Sequence, residues 1–209
     1  MEKTRIAVLV SGGGTNLQAL IDAQLRGELG GGEIVAVISS KEGAYALERA
    51  KKADIDGYVL PRKNFPSNRD MTIALVELLQ SLDIQLVVLA GCMVIFTSEL
   101  VDAYPNAIMN VHPALIPSFC GEGFYGLRVH EAALAYGVKL SGATVHFVSE
   151  ECDGGPIIAQ KSVAVLDTDT PETLQRRIME EVEWKILPAA VSLFCQGKIR
   201  VEGRKVIID

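Results

Sequence analysis

The feature that most constrains the fold of this chain is the alternation of two hydrophobic periodicities over its first ninety residues. Four short apolar runs are typical of strands, at 5–10, 33–38, 58–60 and 86–89. The segments between them have apolar residues at helical spacing, at 15–26, 44–53 and 69–82. Continuously apolar strands indicate a parallel sheet that is buried on both faces. We therefore predict an α/β fold, a doubly wound and mostly parallel sheet with helices on both faces and ligands at the carboxyl ends of its strands.

In the third helical segment, the residues predicted to face inward are Ile73, Leu75, Val76, Leu78 and Leu79. The second half of the chain has strand patterns at 107–111, 143–148 and 157–165, and a helical pattern at 127–135. A long helix is predicted to start at Thr170, with Pro171 at its first position. Its predicted apolar face comprises Leu174, Ile178, Val182 and Ile186. No repeat or linker interrupts the pattern before a final hairpin around Gly203, so we predict one domain over 1–209.

Composition excludes several classes of function. The formal net charge is -6 and the pI about 5.2, which gives no general attraction to nucleic acid. The longest apolar run, 86–96, is too short to span a membrane, and no signal peptide is visible. The four cysteines form no CxxC pair, so we expect neither a disulfide framework nor a metal site. We expect a reduced, cytoplasmic protein.

A glycine-rich loop, Ser11–Asn16, separates the first strand from the first helix. Its glycines expose backbone N–H groups at the positive end of that helix, which favours a bound phosphate. Thr15 and Asn16 add side-chain donors or caps. The spacing is neither the dinucleotide fingerprint nor a P-loop, which disfavours NAD and ATP and favours a phosphomonoester. The alternative is a plain tight turn with a helix cap.

Asn110 and His112 share one face of a strand that Pro113 ends. An amide and an imidazole side by side can donate to one developing oxyanion, and the imidazole can also move protons. Asp153, in a turn, can orient His112, raise its pKa or hold a water. The alternatives are a buried histidine bonded to backbone and a turn aspartate. We expect the isolated histidines, His130 and His146, to be structural or solvated.

Together these residues resemble the folate-dependent formyltransferases. The family pattern Asn-x-His-Pro-x-Leu-x-Pro is matched by residues 110–117, and Asp-x-Gly-Pro by residues 153–156. The glycine-rich loop and the short chain favour the branch that formylates phosphoribosylglycinamide (GAR). The resemblance covers nearly the whole chain. It implies a Rossmann-like phosphate-binding half at 1–105 and a catalytic, folate-binding half at 106–209.

The resemblance also implies an activity. The formyl group of 10-formyltetrahydrofolate passes to the amine of GAR and gives formylglycinamide ribonucleotide, a step of de novo purine biosynthesis that needs no metal. Asn110 and protonated His112 stabilise the oxyanion, and Asp153 organises a water that relays a proton. The implied partners are these two small molecules, with no nucleic acid and no membrane, in a monomer or homodimer.

The resemblance assigns site residues at matching positions. The implied catalytic residues are Asn110, His112 and Asp153. The implied GAR-binding residues are Gly14, Thr15, Asn16 and Glu183. The implied folate-binding residues are Arg69, Met93, Val94, Ile95, Phe96, Asn110, Ser149, Glu150, Glu151, Cys152 and Asp153.

Two departures from the family pattern bear on function. Val94 stands where relatives often carry arginine, which implies a weaker contact to the glutamate tail of the folate. The segment 118–127 is longer than the plain family version, and we expect a packed surface loop rather than a lid.

Three other functions compete with GAR formylation. A formyltetrahydrofolate hydrolase shares the three catalytic residues but usually carries an extra N-terminal domain, for which the first strand leaves no room. A methionyl-tRNA formyltransferase needs a C-terminal RNA-binding domain. A non-catalytic phosphosugar-binding protein would retain only the glycine-rich loop.

Overall fold

The computed structural model describes residues 3–209. Its centre is a nine-stranded sheet in the order β3-β2-β1-β4-β5-β6-β7-β9-β8. The strands are β1 (Thr4–Val10), β2 (Gly32–Ser39), β3 (Asp56–Val59), β4 (Leu86–Leu89), β5 (Ile108–His112), β6 (Leu140–Phe147), β7 (Ile157–Ala164), β8 (Ile199–Glu202) and β9 (Lys205–Ile208). Pairing is parallel from β3 to β5, and β6 is antiparallel to both β5 and β7.

Helices cover both faces of the sheet, as predicted. They are α1 (Thr15–Leu25), α2 (Tyr45–Lys52), α3 (Asn68–Ser81), α4 (Ser98–Ala103), α5 (Leu127–Tyr136), α6 (Pro171–Ile178) and α7 (Trp184–Cys195). Alternate β1 residues divide the core. Val8 belongs to a buried cluster that includes residues of α1, α2, α6 and α7, whereas Leu9 belongs to a second cluster that includes residues of α3 and α4. The predicted α/β fold, doubly wound and mostly parallel, is confirmed.

The strand order reverses at β1, which lies between β2 and β4. Loops that leave β1 and β4 therefore diverge and open a crevice at the carboxyl edge of the sheet. Ser11 and Met93 lie in these two loops, and the Met93 N–H donates to Ser11 Oγ at 2.9 Å. This edge is where the sequence predicts ligand binding.

The C-terminal helix differs from its prediction. It starts as predicted, with Thr170 as the N-cap and Pro171 first, but a π-helical turn at Met179–Glu183 separates α6 from α7. The wider turn adds one residue to the helical repeat. As a result Leu187 is fully buried, whereas Ile186, which was predicted to lie on the apolar face, is only partly buried. The predicted apolar face is therefore wrong after the π-helical turn, where it is displaced by one residue. Such single turns occur often at functional sites.

Two smaller predictions also need correction. Ile73, predicted to face inward, is 37% exposed, because Met71 and Leu75 occupy the buried face of α3. The sequence pattern did not indicate α4. Parallel pairing of β4 with β5 carries the sheet across the boundary between residues 105 and 106. Within residues 3–209, no helix is long and apolar enough to cross a membrane.

Candidate active site

The glycine-rich loop turns sharply into α1 at Gly14. This residue has φ of 70°, and a Cβ on it would lie 2.7 Å from the Cβ of Ala46 in α2. Both observations require glycine here, because L residues rarely adopt this backbone and the space is filled. Gly14 is also the N-cap of α1, and no side chain caps the helix. Thr15 and Asn16 are therefore not caps, and the backbone N–H groups of the first turn are left for another acceptor.

Asn16 instead joins α1 to the C-terminal helix. Its Nδ2 donates to Glu183 Oε2 at 2.7 Å, and both residues are buried. Burial raises the pKa of Glu183 to about 7, and the Asn16 hydrogen bond opposes this shift. Among the described residues, no group bonds Asn16 Oδ1. The π-helical turn, which ends at Glu183, thus presents a carboxyl group that titrates near neutral pH beside the glycine-rich loop.

The three predicted catalytic residues meet at one point. Asn110 Nδ2 lies 3.4 Å from Asp153 Oδ1, and His112 Nδ1 lies 3.4 Å from Asp153 Oδ2. Asn110 and His112 are on one face of β5, as the alternation predicts, and Asp153 follows β6 with φ of 54°. The prediction that these groups converge is correct, and they do so at the carboxyl end of β5.

Asp153 is held as a carboxylate by several donors. The Gly121 N–H donates to its Oδ2 at 2.9 Å. Burial tends to raise the pKa of Asp153, but His146, the charge of His112 and the Gly121 N–H outweigh burial, so that the pKa is lowered. The group is therefore ionised at neutral pH and available to stabilise positive charge beside it.

His112 contacts the loop that follows β5. Its Nε2 lies 2.8 Å from the Phe119 carbonyl oxygen, which can only accept, so this nitrogen carries a proton. Burial lowers the pKa of His112, although the Asp153 charge and the Phe119 hydrogen bond oppose burial. Asp153 raises this pKa, as expected, but burial is the larger effect and the net shift is downward.

His146 belongs to the same cluster, which the sequence analysis missed. Its Nδ1 donates to the Phe147 carbonyl at 2.9 Å, so in the neutral ring its Nε2 accepts from Asn110 Nδ2 at 3.2 Å. That Nε2 is also 3.6 Å from Asp153 Oδ1. Antiparallel pairing of Asn110 with His146 creates this contact. His146 is structural, as expected, but it orients two of the three predicted catalytic side chains.

His130 lies nearby on α5 and is fully buried, so the solvated alternative is wrong for it. Within residues 3–209, neither of its ring nitrogens has a hydrogen-bond partner. Burial lowers its pKa to about 4, and the charge of His112 lowers it further. His130 is therefore neutral at physiological pH.

The loop at 117–126 reaches the site from one side. Its Phe119 ring packs edge-on against Tyr136 of α5, while the backbone of Phe119 and Gly121 contacts His112 and Asp153. The loop is packed, as expected. It also covers His112 and Asp153, which we did not expect from the sequence.

The segments predicted to bind folate flank the cluster. Met93 and Ile95 are 58% and 65% exposed, whereas Val94 and Phe96 line a small apolar cavity with Cys92. Residues 149–152 form the turn before Asp153, with Glu150, Glu151 and Cys152 exposed and the Ser149 hydroxyl donating to the Glu151 carbonyl at 3.2 Å.

Arg69, the remaining residue predicted to contact folate, lies at the start of α3. It is exposed and forms an ion pair with Glu99. No group of three or more potential metal ligands occurs in the part of the chain that the structure describes.

Comparison with known proteins gives consistent results. The sequence model of the formyl transferase family matches residues 4–191. The chain is 40% identical over 205 residues to phosphoribosylglycinamide formyltransferase of Haemophilus influenzae, which covers 98% of this chain and 93% of that protein. Its structure is similar to that of glycinamide ribonucleotide transformylase 1 from Symbiobacterium toebii, with a TM-score of 0.93, 44% identity, and coverage of 99% of this chain and 94% of that chain.

A formyltetrahydrofolate deformylase from Pseudomonas syringae is also similar, with a TM-score of 0.88 and 28% identity. That match covers 99% of this chain but only 66% of the deformylase. The likeness to the two transferases is therefore stronger in identity and extends over nearly the full length of both partners.

Proposed function

Because this chain belongs to the formyl transferase family, we propose that it transfers the formyl group of 10-formyltetrahydrofolate to the amine of GAR, in de novo purine biosynthesis. The observation that carries the proposal is the meeting of Asn110, His112 and Asp153 beside the glycine-rich loop. An amide, an imidazole and a carboxylate in contact are the groups that an acyl transfer needs. The high similarity to GAR formyltransferases over the full chain supports the same activity.

The GAR phosphate binds at the amino end of α1. Gly14, Thr15 and Asn16 form the first turn there, and no side chain caps their N–H groups. These donors and the helix dipole attract a dianion even in an acidic protein. Glu183, which Asn16 holds at 2.7 Å, lies on the same side and faces the ribose and amine. A carboxyl group that titrates near neutral pH can there accept a hydrogen bond from the amine.

The folate binds along the opposite side of the three catalytic residues. Met93 and Ile95 supply exposed apolar surface next to the crevice, and the turn at 149–152 supplies backbone groups. Exposed apolar side chains beside a few polar groups suit a flat aromatic ring system. Val94 lines the apolar cavity and carries no charge, so Arg69 is the cation that the resemblance offers for the glutamate tail.

The reaction proceeds by addition and elimination. The GAR amine attacks the formyl carbon, and the carbonyl oxygen becomes an oxyanion. The Nε2–H of His112 and one N–H of Asn110 donate to that oxygen, which requires His112 to exchange its bond to Phe119. His112 takes up its second proton, on Nδ1, from water before the addition, and the Asp153 carboxylate beside Nδ1 stabilises the resulting imidazolium while the oxyanion forms. Preorganised donors of this kind contribute on the order of 3 kcal/mol each to the transition state.

The proton then moves from the attacking amine to N10 of the departing tetrahydrofolate. A water held by the Asp153 carboxylate relays this proton, because that carboxylate is ionised and faces the reacting groups. The carbon–N10 bond breaks, and the products are formylglycinamide ribonucleotide and tetrahydrofolate. No step requires a metal.

The acceptor is GAR rather than water. The Asn16–Glu183 pair and the uncapped end of α1 form an acceptor site that simple hydrolysis does not need. We further propose that the protein works in the cytoplasm as a monomer or homodimer without nucleic acid. Its acidic composition supports the last point.

An absorbance assay for the folate product tests the proposal. The purified chain is mixed with 10-formyltetrahydrofolate, with and without GAR. We expect product only when GAR is present. Equal product in its absence would identify a hydrolase, and no product in either reaction, with GAR still bound, would identify a binding protein.

A further inference from the structure

Two cysteines lie on the two segments that close around Asp153. Cys120 is in the loop after β5, and Cys152 is in the turn after β6. Gly121 follows Cys120, and Asp153 follows Cys152. The Gly121 N–H donates to Asp153 Oδ2 at 2.9 Å, which joins the loop to the turn. The two thiols therefore flank a direct contact between the loop and the reaction site.

The surroundings of these thiols are shared. Asp153 acts electrostatically on both cysteines, and Cys120 acts on Cys152. Burial raises the pKa of each thiol, and the Asp153 carboxylate raises it further, together with Glu151 for Cys120 and Glu122 for Cys152. Few thiolates exist at neutral pH, so both cysteines remain reduced until an oxidant is abundant.

We propose that Cys120 and Cys152 are a reversible oxidation site that forms a disulfide with a low-molecular-weight disulfide as the oxidant. The Cys152 thiolate, on the more exposed residue, attacks one sulfur of the small disulfide and releases one small thiol. The Cys120 thiolate then attacks Cys152 Sγ and releases the second small thiol. Two protein thiols are oxidised, one small disulfide is reduced to two thiols, and the protons of the cysteines pass to those thiols.

The loop has the freedom that the bond requires. A disulfide needs Cα atoms within about 7 Å of each other. Gly121 and Gly123 follow Cys120 with φ of 87° and 91°, and no atom lies within 4 Å of where a Cβ on either would be. Within residues 3–209, the side chain of Cys120 makes one hydrogen bond, a weak one from its Sγ to the Pro117 carbonyl at 3.3 Å. The loop can therefore adjust without disturbing the core.

The other two cysteines are in different places. Cys195 Sγ packs against Gly32, where an added Cβ would lie 2.7 Å from it, and burial raises the pKa of Cys195 to about 11. Cys92 lines the small apolar cavity with Val94 and Phe96, and burial raises its pKa as well. Neither thiol shares the surroundings of Cys120 and Cys152.

The consequence for activity rests on the proposed function. A Cys120–Cys152 bond would tie this loop to the turn that carries Asp153 and limit the movement of the Phe119 carbonyl, which accepts from His112. During the reaction His112 Nε2–H must donate to the reacting oxygen instead of the Phe119 carbonyl. The disulfide prevents this change of hydrogen-bond partner. Oxidation therefore stops formyl transfer, and reduction restores it.

Non-reducing peptide mapping after incubation with oxidised glutathione tests the proposal. We expect the wild-type chain to yield one cross-linked pair, Cys120 with Cys152. Cys120→Ser should lose the cross-link and carry glutathione on Cys152, because the second step is missing. Cys195→Ala is the matched control and should form the same cross-link as wild type. Absence of the cross-link from the wild-type chain would overturn the proposal.

Activity is measured on the same samples, before and after oxidation. Reduced Cys120→Ser should retain turnover within about twofold of wild type, since serine can also donate to the Pro117 carbonyl. Cross-linked wild type should lose turnover at least about tenfold and regain it with dithiothreitol. A cross-linked enzyme with full turnover would overturn the inhibitory role. Lack of turnover in reduced wild type would contradict the proposed function, while the peptide map would still decide the oxidation site.

Discussion

The two ends of the site each hold one carboxyl group, and their pKa values move in opposite directions. At the reacting end, the Gly121 N–H donates to Asp153 and two histidine rings lie beside it, so that its pKa is lowered despite burial. At the anchoring end, Glu183 has a single donor, Asn16, and burial raises its pKa to about 7. The difference shows that hydrogen bonds and nearby positive charge, as well as burial, decide which carboxyl is charged.

The two ends also differ in which groups carry their chemistry. Side chains from β5, β6 and the turn after β6 form the reacting end. Backbone N–H groups at the start of α1 form most of the anchoring end, with Asn16 and Glu183 beside them. Substitutions at the first end should therefore slow the chemical step, whereas substitutions at the second should weaken GAR binding or change stability.

The largest effect is expected for Asp153→Asn at the reacting end. The variant has nearly the same shape but cannot stabilise the imidazolium, so kcat should fall about 10³-fold, as for loss of a catalytic charge. The melting temperature should change little. Steady-state kinetics and thermal unfolding measure the two quantities. Asp167→Asn is the control, because Asp167 is exposed and pairs with the exposed Lys139. An Asp153→Asn variant with near-normal kcat would remove Asp153 from the mechanism.

The next effect concerns stability at the anchoring end. The pKa of Glu183 in the folded chain, about 7, lies above the ordinary value of 4.5, so the folded state holds the proton more tightly. The resulting stability is complete below about pH 4.5 and is lost as the pH rises through 7, by up to about 3 kcal/mol.

Glu183→Gln should abolish this dependence, since the amide does not titrate. Urea unfolding at pH 5 and pH 8 measures it in both proteins. Wild type should lose more unfolding free energy than Glu183→Gln between these values, and equal losses would show that the carboxyl is not perturbed.

A smaller effect is expected for Asn16→Ala. Loss of the amide frees Glu183 from its donor and disturbs the first turn of α1, so KM for GAR should rise about tenfold while KM for folate stays unchanged. Gln18→Ala is the control, because among the described residues the Gln18 amide bonds Asp22 and Arg49 and not Glu183. An equal rise of both KM values would show that the loop is architectural rather than a GAR site.

The smallest effect is expected for Arg69→Ala. Its guanidinium is exposed and already paired with Glu99, so a contact to the folate tail should change KM for folate only about threefold. Lys63→Ala is the control, because Lys63 is another exposed cation and pairs with Glu42. Identical folate KM values for the two variants would remove Arg69 from the folate site.

Sequence reasoning succeeded where periodicity alone determines the outcome. The strands and helices of the parallel half have a strong apolar pattern, and β4 lies at its predicted residues. Convergence of Asn110 and His112 follows from strand alternation, and the downstream aspartate joins them. The antiparallel half depends on register, which no local pattern specifies, and this is why His146 was missed.

Three other features could not be predicted from the sequence, for similar reasons. The π-helical turn before Trp184 depends on how α6 and α7 pack, and a regular period of 3.6 residues cannot anticipate it. The net pKa shift of His112 depends on burial, which outweighs the charge of Asp153. The loop at 117–126 contacts His112 and Asp153 through its backbone, and backbone contacts do not depend on which side chains the loop carries. The sequence therefore does not predict them, although the glycines of the loop permit them.

The central claim is that the reacting end performs chemistry and the anchoring end binds GAR. Calorimetric titration of GAR into Asp153→Asn tests it most directly. The account predicts a Kd within about threefold of the wild-type value, although turnover is nearly abolished. A Kd weakened as much as turnover would contradict the division between the two ends.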